Sequence, residues 1–463
     1  MLNLYDDGLK LGDGIRRRAL LSAGSIGGLT LPQLMSLRAA DSESGAIPRR
    51  AKAVILFWLT GGVPQHDTWD PKPDGPDAAR TEFGTIATRT PGLSVGALMP
   101  KTAALTNHVA VLRAMVTGDN AHSSSGYQML TGIPHQPLSR ENALPGTPND
   151  WPSLDAMARI LRRDQDGLPS SIVLPRHIAN VGEKVWPGQD AGFMGRRSDP
   201  WLLTCDPAAD DFNIDELKLQ DDIDSRRFAG RQRLLSSVNA QIDGVLKTAE
   251  TQNFDRRTQQ AIDLITGQKA RDAFDLSRES DATRDRYGRS KFGQSVLLAR
   301  RLVEAGVSLV HVNWQRIEGK ENNGSWDTHK KHHESLKGWL MPRMDAAYSS
   351  LLTDLRDRGL LDETLVAWVG EFGHTPKINT NAGRDHWGRV FSIALAGGGI
   401  RGGVVHGATD NQAGEPISGR TTPADYIATV LHCMGVSPES TLQDPQGRPF
   451  PLSRGRVIEE VLV

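Results

Sequence analysis

The sequence predicts an α/β protein with a doubly wound, mostly parallel sheet flanked by helices. Two short apolar runs point to it first, Ala53 to Leu59 (AVILFWL) and Thr364 to Val369 (TLVAWV). Both are β-rich and lack polar alternation, as strands covered on both faces do. Each runs into a glycine, at Thr60-Gly61-Gly62 and at Gly370-Glu371. Amphipathic helices also alternate with strands along the chain, the pattern of parallel crossover units.

The elements follow in order. His122-Ser123-Ser124-Ser125-Gly126 opens a helix running to Thr131-Gly132, whose first turn favours an anion. Residues 210–285 are polar with helical patterning and read as covering helices. Lys291 to Gly306 is an amphipathic helix with Val296, Leu297, Leu302 and Val303 facing inward, followed by a strand at Val307–Val312. Met344, Ala347, Tyr348, Leu351, Leu352 and Leu355 recur at helical spacing before Gly359, a natural stop. Glu371 then falls at the carboxyl end of a strand, where open α/β sheets place their sites.

Composition narrows the partners. The chain has 463 residues, net charge −1 and 24% charged residues, a balance that favours neither nucleic acid nor an anionic membrane. No apolar run is long enough to span a bilayer. Cys205 and Cys433 are too far apart for a metal motif and are either free or paired. Arg17-Arg18-Ala19-Leu20-Leu21 and the Gly-rich stretch after it resemble a twin-arginine export signal, with an ordinary basic helix as the alternative. Residues 1–50 are therefore read as signal and linker. Residues 51–463 are read as one domain with a helical covering insertion at about 150–285. The signal implies export to the periplasm or cell surface.

Several loops carry candidate chemistry. Asp67 lies in a loop with His66 and Asp70, suited either to a cation or to plain turn capping. Asp327 and His329, two apart in Trp326-Asp327-Thr328-His329, suit a metal at a loop bend. Gly383-Arg384-Asp385-His386-Trp387 adds a guanidinium, a carboxylate and an imidazole.

Residues 344–373 (MDAAYSSLLTDLRDRGLLDETLVAWVGEFG) are similar to the helix–strand segment of sulfatases and other alkaline-phosphatase-superfamily enzymes. TPADYIATVLHCMGV resembles their late helix, AVILFWL their first strand, and SSSGYQMLTG the end of their nucleophile helix. The strings DTWDPKP, WDTH, GEFGHTP and GRDHW resemble an exported, twin-arginine branch of that superfamily whose function is unknown. The resemblance implies an alkaline-phosphatase-like fold and a divalent metal (Ca, Mg or Zn). Its ligands would be Asp327, His329, Glu371 and His386, with help from Asp67. The chain departs from the pattern at Phe372, in place of His or Asn, and at Thr60-Gly61-Gly62, in place of acidic residues. His122 stands at the nucleophile position, which rules out formylglycine there. His122 or Ser123 is expected as nucleophile or acid/base, and Arg384 as a clamp on anionic oxygens. The implied function is metal-dependent hydrolysis of a phosphate or sulfate ester, on a small molecule or polysaccharide. The alternatives are a non-catalytic exported binding protein for an anionic or sugar ligand, and an envelope protein in which Asp385, Glu371 and Arg384 form a structural ion-pair network.

Overall fold

The computed structural model describes residues 47–212 and 267–463 except 445, with 25–26, 29–30, 214, 227 and 230 besides. The expected export signal lies almost wholly outside the described residues, as do the covering helices expected across 215–266.

Eight strands form the central sheet. In chain order they are β1 (Ala53–Trp58), β2 (Val109–Met115), β3 (Ser171–Leu174), β4 (Trp201–Leu202), β5 (Leu309–Asn313), β6 (Thr364–Val369), β7 (Phe391–Ala396) and β8 (Val404–His406). Their order across the sheet is β4-β3-β5-β1-β6-β7-β2-β8. All neighbours are parallel except β7, which is antiparallel to both β6 and β2. The sheet is thus mostly parallel, as expected. The helices are α1 (His122–Thr131), α2 (Leu154–Leu161), α3 (Gln268–Phe274), α4 (Asp281–Tyr287), α5 (Lys291–Glu304), α6 (Met341–Asp357) and α7 (Pro423–Cys433).

Two cores sandwich the sheet, and β1 shows why its sequence lacks alternation. Ile55 and Phe57 enter a core with Val296, Leu297 and Leu302 of α5 and Met344, Tyr348 and Leu351 of α6. Val54, Leu56 and Trp58 enter the opposite core with Leu130 of α1, Met157 of α2 and Ile427, Val430 and Leu431 of α7. A strand with helices on both faces has no polar side to show.

Among its described residues the stretch 150–285, expected as helical cover, holds the helices α2 and α3 and most of α4. Its described part contributes α2 beneath the sheet and adds β3 and β4 to the β5 edge. At four and two residues, these strands are too short to give a periodic signal. Among the described residues no helix is long and apolar enough to cross a membrane. No disulfide joins Cys205 to Cys433.

β1, β2, β5 and β6 run in the same sense, because β7 reverses twice between β6 and β2. Their carboxyl ends therefore open on one edge of the sheet. The loops leaving that edge carry Gly61, His122, Asp327 and Glu371.

Candidate metal centre

Each loop is fixed locally before it contributes a side chain. Helix α1 opens at His122 behind Ala121, which offers no capping side chain. Asp119 braces this start through its side chain: Oδ1 accepts from Ala121 N (3.0 Å) and Ser124 Oγ (2.9 Å), and Oδ2 accepts from Gln128 Nε2 (3.1 Å). The anion expected at this helix start is the chain's own Glu141, whose Oε2 accepts from His122 N at 2.8 Å. At the end of β1, Gly61 has φ +121°, and a Cβ there would lie 2.3 Å from Asp327 N. Glycine thus lets the Trp326–Asp327 backbone rest on the turn. Gly383 makes the same allowance for the 383–387 loop, since its Cβ would sit 2.0 Å from the His329 carbonyl. His386 and Trp387 then pair antiparallel with Gly373 and His374.

Three imidazoles converge on one carboxylate. His122 Nε2 lies 3.2 Å from Asp327 Oδ2. His329 Nε2 and His386 Nε2 each lie 2.9 Å from Asp327 Oδ1 and 3.0 Å from one another. Every ring is also held from outside at Nδ1: His122 by Glu371 Oε1 (2.9 Å), His329 by Asp385 Oδ1 (2.7 Å) and His386 by the Asn120 carbonyl (2.7 Å). Those partners accept hydrogen bonds, so each Nδ1 carries a proton, and a neutral ring turns its Nε2 lone pair inward. Three lone pairs and a carboxylate crowd one point. Only protons or a cation relieve that, and outward Nδ1–H bonds of this kind are how metal-bound histidines are oriented.

The electrostatics agree. Burial opposes charge on His122, but hydrogen bonds to Asp327 and Glu371 outweigh it and push its pKa up to about 10. Burial would raise Asp327, yet hydrogen bonds from His122, His329 and His386 hold it well below the usual carboxylate range. His329 is raised, chiefly by its bond to Asp327. The centre demands positive charge. Aromatic walls enclose it: Trp186 stacks on His122 (5.8 Å between centroids) and Phe372 on His386 (4.4 Å).

The other expected residues take different places. Glu371 is fully buried; its Oε1 accepts from Gly61 N (2.7 Å) and His122, while Oε2 has no partner. Ser123 is buried, with Oγ donating to the Arg140 carbonyl (2.9 Å) and accepting from Ala143 N (3.0 Å), so the hydroxyl serves the 140–143 loop. Asp67 does not join the three histidines. Its Oδ2 meets His332 Nε2 at 2.9 Å and its Oδ1 accepts from Thr81 Oγ1 at 2.6 Å. His332 Nδ1 is in turn 2.6 Å from Thr328 Oγ1, so Asp67 steadies the loop between Asp327 and His329 from beneath. Burial would raise Asp67, but His332 and Arg384 hold it far below normal. Arg384 is itself buried, and its Nη1 donates to the Thr375 and Pro376 carbonyls. Nearby, burial and Arg384 press His66 down to about 3. Asp70 pairs with Lys72 (3.0 Å) and Arg113 (3.3 Å). Sequence reasoning placed Asp385 only in an ion-pair network with Glu371 and Arg384, not on His329, and did not name Asn120. Adjacency to His386 was the one available signal for Asp385, and a backbone carbonyl leaves none.

Fold and site together define an α/β protein with a three-histidine, one-carboxylate cluster at the carboxyl edge of its sheet. The chain belongs to a family described as a protein of unknown function (DUF1501), whose model matches residues 51–462. No curated protein matches it significantly. Among solved structures it is similar to PsFucS1 sulfatase from Pseudoalteromonas sp., with 13% identity, TM-score 0.38, and 87% of this chain and 71% of that one covered. It is similar to the phosphonate monoester hydrolase SpPMH from Silicibacter pomeroyi, with 10% identity, TM-score 0.38, and coverage of 89% and 76%. The lipoteichoic acid synthase LtaP from Listeria monocytogenes gives 9% identity, TM-score 0.34, and coverage of 90% and 93%. These likenesses are too slight to carry chemistry across.

Proposed function

We propose that this chain is an exported, metal-dependent hydrolase of phosphate or sulfate esters on an alkaline-phosphatase-like sheet. The observation behind it is the convergence of His122, His329 and His386 on Asp327, each ring fixed from outside at Nδ1. A nitrogen-rich set of this kind suits zinc or another transition metal better than calcium or magnesium, which take oxygen ligands. His122 is then a ligand rather than a nucleophile. Glu371, expected as a ligand, orients His122 instead. A divalent cation held there would supply Lewis-acid polarisation of the ester oxygen and a more acidic water.

The chain's own residues do the rest. Glu371, Asp385 and the Asn120 carbonyl hold the rings in one tautomer. Trp186 and Phe372 exclude bulk water from two sides. Glu371 Oε2, fully buried and without a hydrogen-bond partner, keeps negative charge behind His122. With His122 facing Asp327 and Ser123 bonded to the 140–143 loop, no side-chain nucleophile and no covalent intermediate are invoked.

Elemental analysis of the purified full chain should find one transition metal per chain, lost in His386→Ala. The loaded protein should hydrolyse at least one member of a panel of phosphate mono- and diesters and sulfate esters, and the variant none. A chain that binds no metal sinks the mechanism. Stoichiometric metal with an untouched panel leaves a binding protein on the same fold.

A further inference from the structure

A second feature opens beside the cluster. A cavity of about 500 Å³ is lined by Arg176, Lys291, Arg316 and Arg343, with apolar walls from Phe292 and Trp314. Thr60, also in its wall, directly precedes Gly61, the residue that bonds Glu371 and touches Asp327. Ser325, another wall residue, lies two positions before Asp327. His177, Ile178 and Ala179 bound the cavity and lead into Asn180, which holds the indole of Trp186, the ring stacked on His122. The cavity is thus walled by segments that run directly into those carrying the metal centre, although no residue of the cluster itself lines it.

Its charge is unbalanced. Four cationic side chains face two carboxylates, Glu183 and Glu318. Arg176 pairs with Glu183, and Lys291 pairs with Asp206 at 3.1 Å. Arg343 donates to the Trp339 carbonyl at 3.1 Å and feels burial but no carboxylate. Arg316 is exposed and makes no ion pair among the described residues, although Asp327 lies within reach of its charge. Arg316, within reach of Asp327 and Glu183 but in direct contact with neither, and Arg343, which has no carboxylate beside it, make a recognition site for a planar or tetrahedral anion.

We propose that this cavity binds a second oxyanion of the same substrate, a phosphate or sulfate group on a sugar-sized body whose scissile ester reaches the histidine cluster. Phe292 and Trp314 would face the body between the two groups, and Arg316 and Arg343 would clamp the far anion. The inference rests on the hydrolase reading for the ester that reaches the centre, while the cavity's anion preference is measurable without turnover.

Calorimetric titration of the metal-loaded full chain tests it, comparing glucose 1,6-bisphosphate with glucose 1-phosphate. A parallel pair, glucose 2,6-disulfate and glucose 6-sulfate, separates phosphate from sulfate. In one of the two pairs the doubly charged sugar should bind about tenfold or more tightly, the range of one charge-assisted guanidinium contact. Arg316→Gln, an exposed and fold-safe change, should remove most of that preference with metal content unchanged, and adding Arg343→Gln should abolish it. His386→Ala, which strips the metal, should still prefer the doubly charged sugar. Equal binding of both members of both pairs, or a preference that survives the double variant, overturns the inference. An Arg316-dependent preference in a chain that never binds metal upholds the cavity and sinks the hydrolase reading alone.

Discussion

Asp385 shows how a residue without a direct role can set the centre's chemistry. Its Oδ1 accepts a hydrogen bond from His329 Nδ1 at 2.7 Å and another from Asn379 Nδ2 at 3.1 Å. Asp385→Asn leaves the fold alone, because the side chain is about half exposed, but it weakens the acceptor that aims His329 Nε2 inward. Outer partners of this kind are worth about 10–100-fold in metal affinity. Competition against a chelator should therefore show Asp385→Asn losing metal at least tenfold more readily than wild type; equal retention would mean that His329 is aimed without it. The sequence displayed Asp327 and His329 by their spacing, His386 by its charged loop, and His122 by its place in the family pattern. It could not display their roles. Glu371 carries the right chemistry for a ligand, yet its Oε1 is turned to Gly61 and His122 across some 250 to 310 residues of chain, and that pairing exists only after folding. Asp67 meets His332 over a similar span.

At the scale of elements, the long helices α5 and α6 and the inner strands β1, β5 and β6 were legible because their apolar pattern is set by burial, which sequence records directly. The short strands β3 and β4 were not, since two to four residues contain no period, and nothing in FSIALA of β7 encodes its antiparallel sense. Polar ties between helices were equally hidden. Arg300 on α5 is fully buried and reaches Asp354 of α6 at 2.9 Å, Glu279 at 2.7 Å and Glu304 at 2.6 Å, while Tyr287 of α4 donates to Asp354 at 3.0 Å. Removing one member of such a network strands the others. Arg300→Ala should cost about 3–5 kcal/mol in denaturant unfolding, as uncompensated buried charge does. The pH dependence has a definite sign. Burial would raise Glu279, but Arg300 outweighs it and holds the pKa below the ordinary value. The folded state is thus favoured above the unfolded pKa of about 4.3, and that stability is lost as pH falls through the lower folded value. Wild type should show this acid-limb loss in denaturant melts between about pH 5 and 3, and Arg300→Ala should show a shallower one; parallel limbs would remove Arg300 as the cause.

For the whole molecule, the centre joins loops that the sheet alone leaves separate. Asp327 follows β5, His122 follows β2, Glu371 follows β6, and His329 and His386 come from two further stretches, so one point ties chain segments far apart in sequence. A cation that binds only this folded arrangement stabilises it by mass action, about 2.7 kcal/mol when free metal stands a hundredfold above its dissociation constant. Unfolding a domain of this size carries a large entropy, so the same free energy moves the thermal midpoint by roughly 3 °C. Wild-type protein should therefore melt about that much lower after treatment with a chelator and recover on adding back the metal. His386→Ala should melt at one temperature in either condition, and Arg316→Gln should respond as wild type does, because the cavity lies outside the ligand set. A wild-type midpoint unmoved by complete metal removal would mean that hydrogen bonds alone set these loops, leaving the histidine cluster to act on its ligand without holding the fold.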